Sequence, residues 1–216
     1  MRRSNRWICA GLSLCTLSLG CGGQTPLQHR ASASAAPAPP LPSGQVTGGW
    51  HLTVYYTPVE SYHGRPLQPI ADCAGLALGK HPLDFLDRVQ TEGFGRFLTP
   101  INENRYLGWD FDRRCWFLAR RPVGVGDRPL REWVSVAAAS TFATGTGVRV
   151  VSCGPNVDET VCARVKGAAW VVEDHCGGCS DPKHLDLYIG EEDRPDFEEL
   201  SPSYFDTHGA VVALVR

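Results

Sequence analysis

Long apolar runs are scarce in this chain. The one extended run, Trp7–Gly20 (WICAGLSLCTLSLG), falls short of the ~20 residues that a membrane-spanning helix needs. No later segment comes closer. An excess of either charge is also missing: 21 Lys and Arg stand against 23 Asp and Glu, a net charge of −2 at pH 7. That balance gives no electrostatic basis for binding nucleic acid. Residues 50–216 contain no internal repeat and no low-complexity segment, and helical periodicity is rare in them.

What is present begins with the basic start MRRSNR, the apolar run and small residues before Cys21, the layout of an export signal. LSLGC (Leu17–Cys21) resembles a bacterial lipobox, with Ser18 where leucine is usual. The resemblance implies that residues 1–20 are a lipoprotein signal peptide, that Cys21 is lipidated, and that the chain is anchored to a membrane in the cell envelope, on its extracytoplasmic side. Residues 21–49 are rich in Ala, Pro, Ser and Gly and poor in large apolar residues, so they form no core and read as a flexible tether. Residues 50–216 fit one folded domain.

Cysteine usage agrees with export. Cys9 and Cys15 lie in the signal and Cys21 takes the lipid, which leaves Cys73, Cys115, Cys153, Cys162, Cys176 and Cys179. An even number in an exported domain points to disulfides, with about fifteen possible connectivities. Cys153 and Cys162 flank the turn-like GPNVDETV and are the expected pair; the other pairings stay open. His175, Cys176, Cys179 and His184 have the spacing of zinc ligands, but thiols in an oxidising compartment pair with one another. No metal and no cofactor are therefore expected.

Strands are expected at Trp50–Pro58, Cys115–Arg120, Glu132–Ala139, Gly147–Cys153, Ala168–Asp174, His184–Gly190 and Gly209–Arg216. One short helix is expected within His81–Leu98, from Leu83, Leu86 and Val89 between Pro82 and Gly93. Many short strands separated by Gly/Pro turns argue for a β-barrel. In HLDLYI, Leu185, Leu187 and Ile189 share a core face, and His184, Asp186 and Tyr188 share the other. By the same alternation Trp170, Val172 and Asp174 share a face. Two apolar runs, each with one aspartate and separated by a Gly/Cys turn, suggest a polar groove that binds sugar.

The segments YYTP (Tyr55–Pro58), RPLREWVSVAAAS (Arg128–Ser140), TGTGVRV (Thr144–Val150), EDHCGGC with HLDLYIG, and GAVVALVR resemble the three-aspartate domain of bacterial cell-wall proteins and the catalytic barrel of the membrane-bound lytic transglycosylase A family. The resemblance implies a mainly β fold: a six-stranded double-psi β-barrel with a small helical insertion, disulfide-bonded. It implies lytic cleavage of peptidoglycan glycan strands, with Asp186 as general acid/base and Asp174 as its neighbour. Tyr55, Tyr56, Gly177, Gly178, Lys183 and Tyr188 are the substrate-binding candidates; adjacent tyrosines on a strand face opposite ways, so only one of Tyr55 and Tyr56 can line the groove. Two departures stand out. Ala139 occupies the place of the family's first aspartate, and CGGCSDPKH replaces the usual Gly-Gly loop. That loop is more similar to expansin and barwin-type barrels, which gives a second expectation: a non-catalytic wall-binding or structural envelope lipoprotein. A protein-binding barrel of the barwin type is a third.

Overall fold

The computed structural model describes residues 44–215 except 65 and 180. The expected signal peptide, the expected lipidation site Cys21 and most of the expected tether lie outside the described residues.

Six strands close a barrel: β1 (Val46–Thr57), β7 (Ser135–Ala138), β8 (Gly147–Ser152), β9 (Trp170–His175), β10 (His184–Glu191) and β11 (Asp206–Val215). Their order around the wall is β1-β10-β7-β9-β8-β11. β1 pairs with β10, and β7 with β9, in parallel; the other four junctions are antiparallel. Closure leaves no unpaired barrel edge. Side chains alternate in and out along each strand. Trp50, Leu52 and Val54 of β1, Leu185 and Leu187 of β10, Val148 and Val150 of β8, and Val212 and Leu214 of β11 fill one apolar interior. The outer face of β1 and β10 carries the polar set His51, Thr53, His184 and Asp186.

Between β1 and β7 the chain builds an insertion. It holds β2 (Leu67–Ala71) paired with β3 (Ala77–Pro82), the helix α1 (Leu83–Glu92), and the sheet β4 (Phe94–Ile101), β5 (Asn104–Asp110) and β6 (Cys115–Ala119). Phe85, Leu86, Val89, Phe97, Leu107 and Trp116 form a separate apolar cluster beneath α1. The Cys73–Cys115 disulfide ties the β2–β3 turn to the start of β6.

All six barrel strands coincide with expected ones. The seventh expected strand, Cys115–Arg120, is β6 of the insertion. The expected helix forms between Pro82 and Gly93, as α1. Gly93, at φ 90°, takes a backbone conformation closed to most residues and stops α1, and Phe94 onward becomes β4. The segment read as a turn between Cys153 and Cys162 leads into a helix, α2 (Glu159–Gly167). Asp158 caps it by accepting from the backbone N–H groups of Thr160 (2.9 Å) and Val161 (3.1 Å). Cys153 and Cys162 are joined across this cap, as expected, and the third disulfide is Cys176–Cys179. A last short helix, α3 (Phe197–Leu200), precedes β11.

Candidate active site

The two aspartates come together through register. Asp186 on β10 is level with Ala137 on β7 and with Thr53 on β1. Ala137 is in turn level with Asp174 on β9. The row Asp174–Ala137–Asp186–Thr53 thus crosses four adjacent strands. At ~4.8 Å per strand, the Cα atoms of the two aspartates stand about 9–10 Å apart.

Asp174 joins this row only because β9 is irregular. Simple alternation puts it on the core face with Trp170 and Val172. The ladder instead runs Val136–Val172 and then Ala137–Asp174, so Glu173 is an extra residue. A bulge of this kind reverses the facing of the next side chain, and Asp174 turns to the outer face. Glu173 is held there by Arg131 (Nη2 to Oε1, 2.7 Å) and by the Ser135 hydroxyl (2.5 Å). Those bonds keep its carboxyl below the usual range against the opposing effect of burial. Gly124 lies against the backbone of Glu173 and the side chain of Asp174, where a β-carbon would collide.

Above the row is a cleft of about 730 Å³. Its barrel side presents Thr53, Tyr55, Ala137, Asp174, His184 and Asp186, with Gly177 and Gly178 of the Cys-closed turn at the rim. The opposite side comes from the insertion: Gln90, Thr91 and Glu92 at the end of α1, and Phe111 in the β5–β6 turn. Phe111 is 61% exposed and offers a bare aromatic face to whatever enters. A smaller cavity of about 160 Å³ lies elsewhere, among His63, Asp84, Arg88, Glu192 and Glu198. Several of its charged side chains are paired: His63 with Glu192 and Asp84, and Arg88 with Glu198.

Electrostatics distinguish the cleft acids. Burial, with the nearby Asp174 charge, pushes Asp186 up to about 6, against the hydrogen bond that the Thr53 hydroxyl donates to it at 2.7 Å. Burial pushes Asp174 up to about 6 as well, opposed by the donating backbone N–H of His175. Glu92 is raised furthest, to about 8, first by burial and then by the Asp186 and Glu198 charges, although it accepts from the Tyr56 backbone N–H at 3.2 Å. Near neutral pH the cleft therefore holds a neutral carboxylic acid, Glu92, beside aspartates poised close to their titration point. The Thr53 hydroxyl has one proton, which goes to Asp186, so it accepts from His184 Nε2 at 2.8 Å. Burial and the adjacent His51 lower the His184 pKa.

Of the residues singled out from the sequence, Asp174, Asp186, Tyr55, Gly177 and Gly178 line the cleft. Tyr56 faces the opposite way and packs on Phe197 and Tyr204. Tyr188 is only 4% exposed; its ring lies under Tyr55 and its hydroxyl is 2.7 Å from that of Thr57. Lys183 lies off the cleft and donates to the Gly48 carbonyl at 2.9 Å. The sulfurs of Cys176 and Cys179 are bonded to each other, which removes them from any zinc set. Thr53, Glu92 and Phe111 were not foreseen. Thr53 could have been found, since alternation along β1 puts it on the polar face with His51 and Tyr55. Glu92 and Phe111 carry no such signal, because nothing local shows that α1 and the β5–β6 turn fold back over the barrel.

No protein-family model and no curated protein matches the sequence. Solved structures do. Escherichia coli MltA with bound chitohexaose is 18% identical, covers 77% of this chain and 71% of its own, and superposes with a TM-score of 0.51. A membrane-bound lytic murein transglycosylase from Agrobacterium tumefaciens is 12% identical over 77% and 73% of the two chains, with a TM-score of 0.49. MltA from Neisseria gonorrhoeae is 13% identical over 77% and 73%, at 0.47. At these identities the likeness to E. coli MltA shows a shared fold, an MltA-like barrel of the double-psi type.

Proposed function

We propose that this protein cleaves peptidoglycan glycan strands lytically in the cell envelope, with Asp186 as the general acid/base. The observation that carries the reading is the Asp174–Ala137–Asp186–Thr53 row on the floor of an open cleft, on a barrel shaped like that of E. coli MltA. That enzyme's structure with chitohexaose makes a glycan the natural occupant to test.

The chemistry asks little of the protein beyond one adaptable carboxyl. Protonated Asp186 gives its proton to the glycosidic oxygen as the bond from that oxygen to the anomeric carbon breaks. The carboxylate left behind takes the proton from the sugar's own 6-hydroxyl as that oxygen attacks the anomeric carbon. A 1,6-anhydro ring closes, and Asp186 is again protonated. An acid with a pKa near the working pH performs both transfers. Thr53 holds its carboxylate oxygen in place. Asp174, across the row, acts through its charge. Tyr55, Gly177, Gly178 and Phe111 meet the sugar, with Tyr56, Tyr188 and Lys183 supporting the walls from outside the cleft. Lipidation of Cys21 and the tether of residues 21–49 complete the reading of an anchored, extracytoplasmic enzyme whose partners are glycan strands and the membrane. The three disulfides agree with an oxidising compartment.

The test is to incubate the purified full chain and its Asp186→Asn variant with purified sacculi and identify the soluble products by mass spectrometry. Anhydro-muropeptides from the wild type alone are expected. Co-sedimentation of both proteins with sacculi, without products from either, would replace this reading with a non-catalytic wall-binding barrel.

A further inference from the structure

Next to the acid row lies a row of imidazoles that the cleavage chemistry does not use. His51 on β1 is level with His184 on β10 and with His208 on β11. The His51 ring is stacked between the other two, with centroids 4.0 Å from His184 and 3.9 Å from His208 and planes inclined by 27° and 15°. Asp206, two residues before His208, points the same way from β11, and its Oδ1 lies 2.6 Å from His51 Nε2. One donor atom each from His51, Asp206 and His208 lies within 4.8 Å of the other two. Asp206 and His208 are exposed and His51 is half-buried, so the group opens to solvent. The barrel does not need these histidines for its core, which Trp50, Leu52, Ala210 and Val212 help to build from the same strands.

We propose that His51, Asp206 and His208 bind a divalent transition-metal ion, with zinc as the fitting occupant. Two imidazoles and one carboxylate form a zinc donor set that leaves a fourth position for water or a ligand. Imidazole nitrogen suits zinc and its neighbours in the first transition row, whereas calcium and magnesium prefer all-oxygen sets. Strand register holds the three donors on one patch before any ion arrives. Binding then requires side-chain rotation, to bring each donor to the ~2.0–2.2 Å of a zinc bond, and no strand movement. His184, stacked on His51, braces the site from the far side. Its bond to Thr53 joins the site to Asp186 through two hydrogen bonds. The proposal does not depend on the cleavage reading.

The purified, tag-free full chain is titrated with Zn²⁺ by calorimetry and with Co²⁺ as a visible-absorbing probe. One equivalent is expected, with the d–d bands of a low-coordinate Co²⁺ site. His208→Asn and Asp206→Asn, at exposed positions that leave the fold intact by circular dichroism, each weaken binding at least about tenfold, and the double variant at least about a hundredfold. His63→Asn, at a separate histidine–carboxylate cluster, leaves affinity unchanged. No saturable binding by the wild type, equal affinity in the double variant, or loss of binding in His63→Asn would each overturn the proposal.

Discussion

The barrel and its insertion contribute one side each to the same cleft, yet they are built differently. The barrel is a closed wall whose strands alternate between an apolar interior and a polar exterior. The insertion is two small open sheets and one helix over a separate apolar cluster, stapled by Cys73–Cys115. Closure gives the barrel rigid register, and register is what places Asp174, Asp186 and Thr53 in a row. The insertion has no comparable lattice. It supplies reach, bringing Glu92 and Phe111 over a floor that the barrel cannot cover by itself. A rigid floor and an added wall are a common division of labour for sites that bind extended ligands.

The largest effect should separate the two acids. Asp186→Asn lowers the rate of glycan cleavage by about a thousandfold, within the range of a lost general acid. Glu92→Gln on the insertion costs about tenfold, because a neutral glutamic acid and glutamine present similar groups. Initial rates of muropeptide release measure both, and the reverse ranking would move the acid role to the insertion.

Stability comes next. Cys73 and Cys115 are 42 residues apart and Cys176 and Cys179 only 3. Loop-closure entropy then assigns about 4 kcal/mol to the first disulfide and about 1.6 kcal/mol to the second. The Cys73→Ala/Cys115→Ala pair should lower the unfolding free energy in urea by the larger amount. Equal losses for the two pairs would show that native-state strain outweighs chain entropy.

A pH titration sharpens the same contrast. Glu92 moves from its ordinary 4.5 in the unfolded chain to about 8 when folded. Between those values the folded state holds the extra proton, so stability declines as pH rises. Glu92→Gln removes this dependence. Its melting temperature should exceed that of the wild type by a few °C at pH 8 and converge with it below about pH 4.5. Asp186→Asn should behave alike over the narrower window from 3.8 to about 6. The smallest effect is expected at Phe111→Ala, an exposed position: glycan affinity drops about fivefold in a co-sedimentation assay, and thermal stability does not change.

The barrel strands were legible because alternation is a local property of the chain. WHLTVYY and HLDLYIG show which side chains face in and which face out without reference to any neighbour. The insertion was mostly hidden for the opposite reason. Its strands LQPIA, ALGKHP and NRYLGWD carry Gly, Pro or isolated charges, and they become strands through pairing and burial rather than propensity. GPNVDETV reads as a turn until the side chain of Asp158 is seen to cap a helix.

The sequence by itself determined the disulfide-bonded β class, the six barrel segments, the Cys153–Cys162 bridge and Asp186 on a polar strand face. Each rests on spacing within one segment or on residue chemistry. Tertiary structure alone decided the side of Asp174, which depends on a bulge opposite Ala137; the burial that raises the cleft acids; and the approach of Glu92 and Phe111 from the insertion. It also decided that three histidines distant in sequence stack across adjacent strands. Register and burial are relations between segments, and no segment carries them alone.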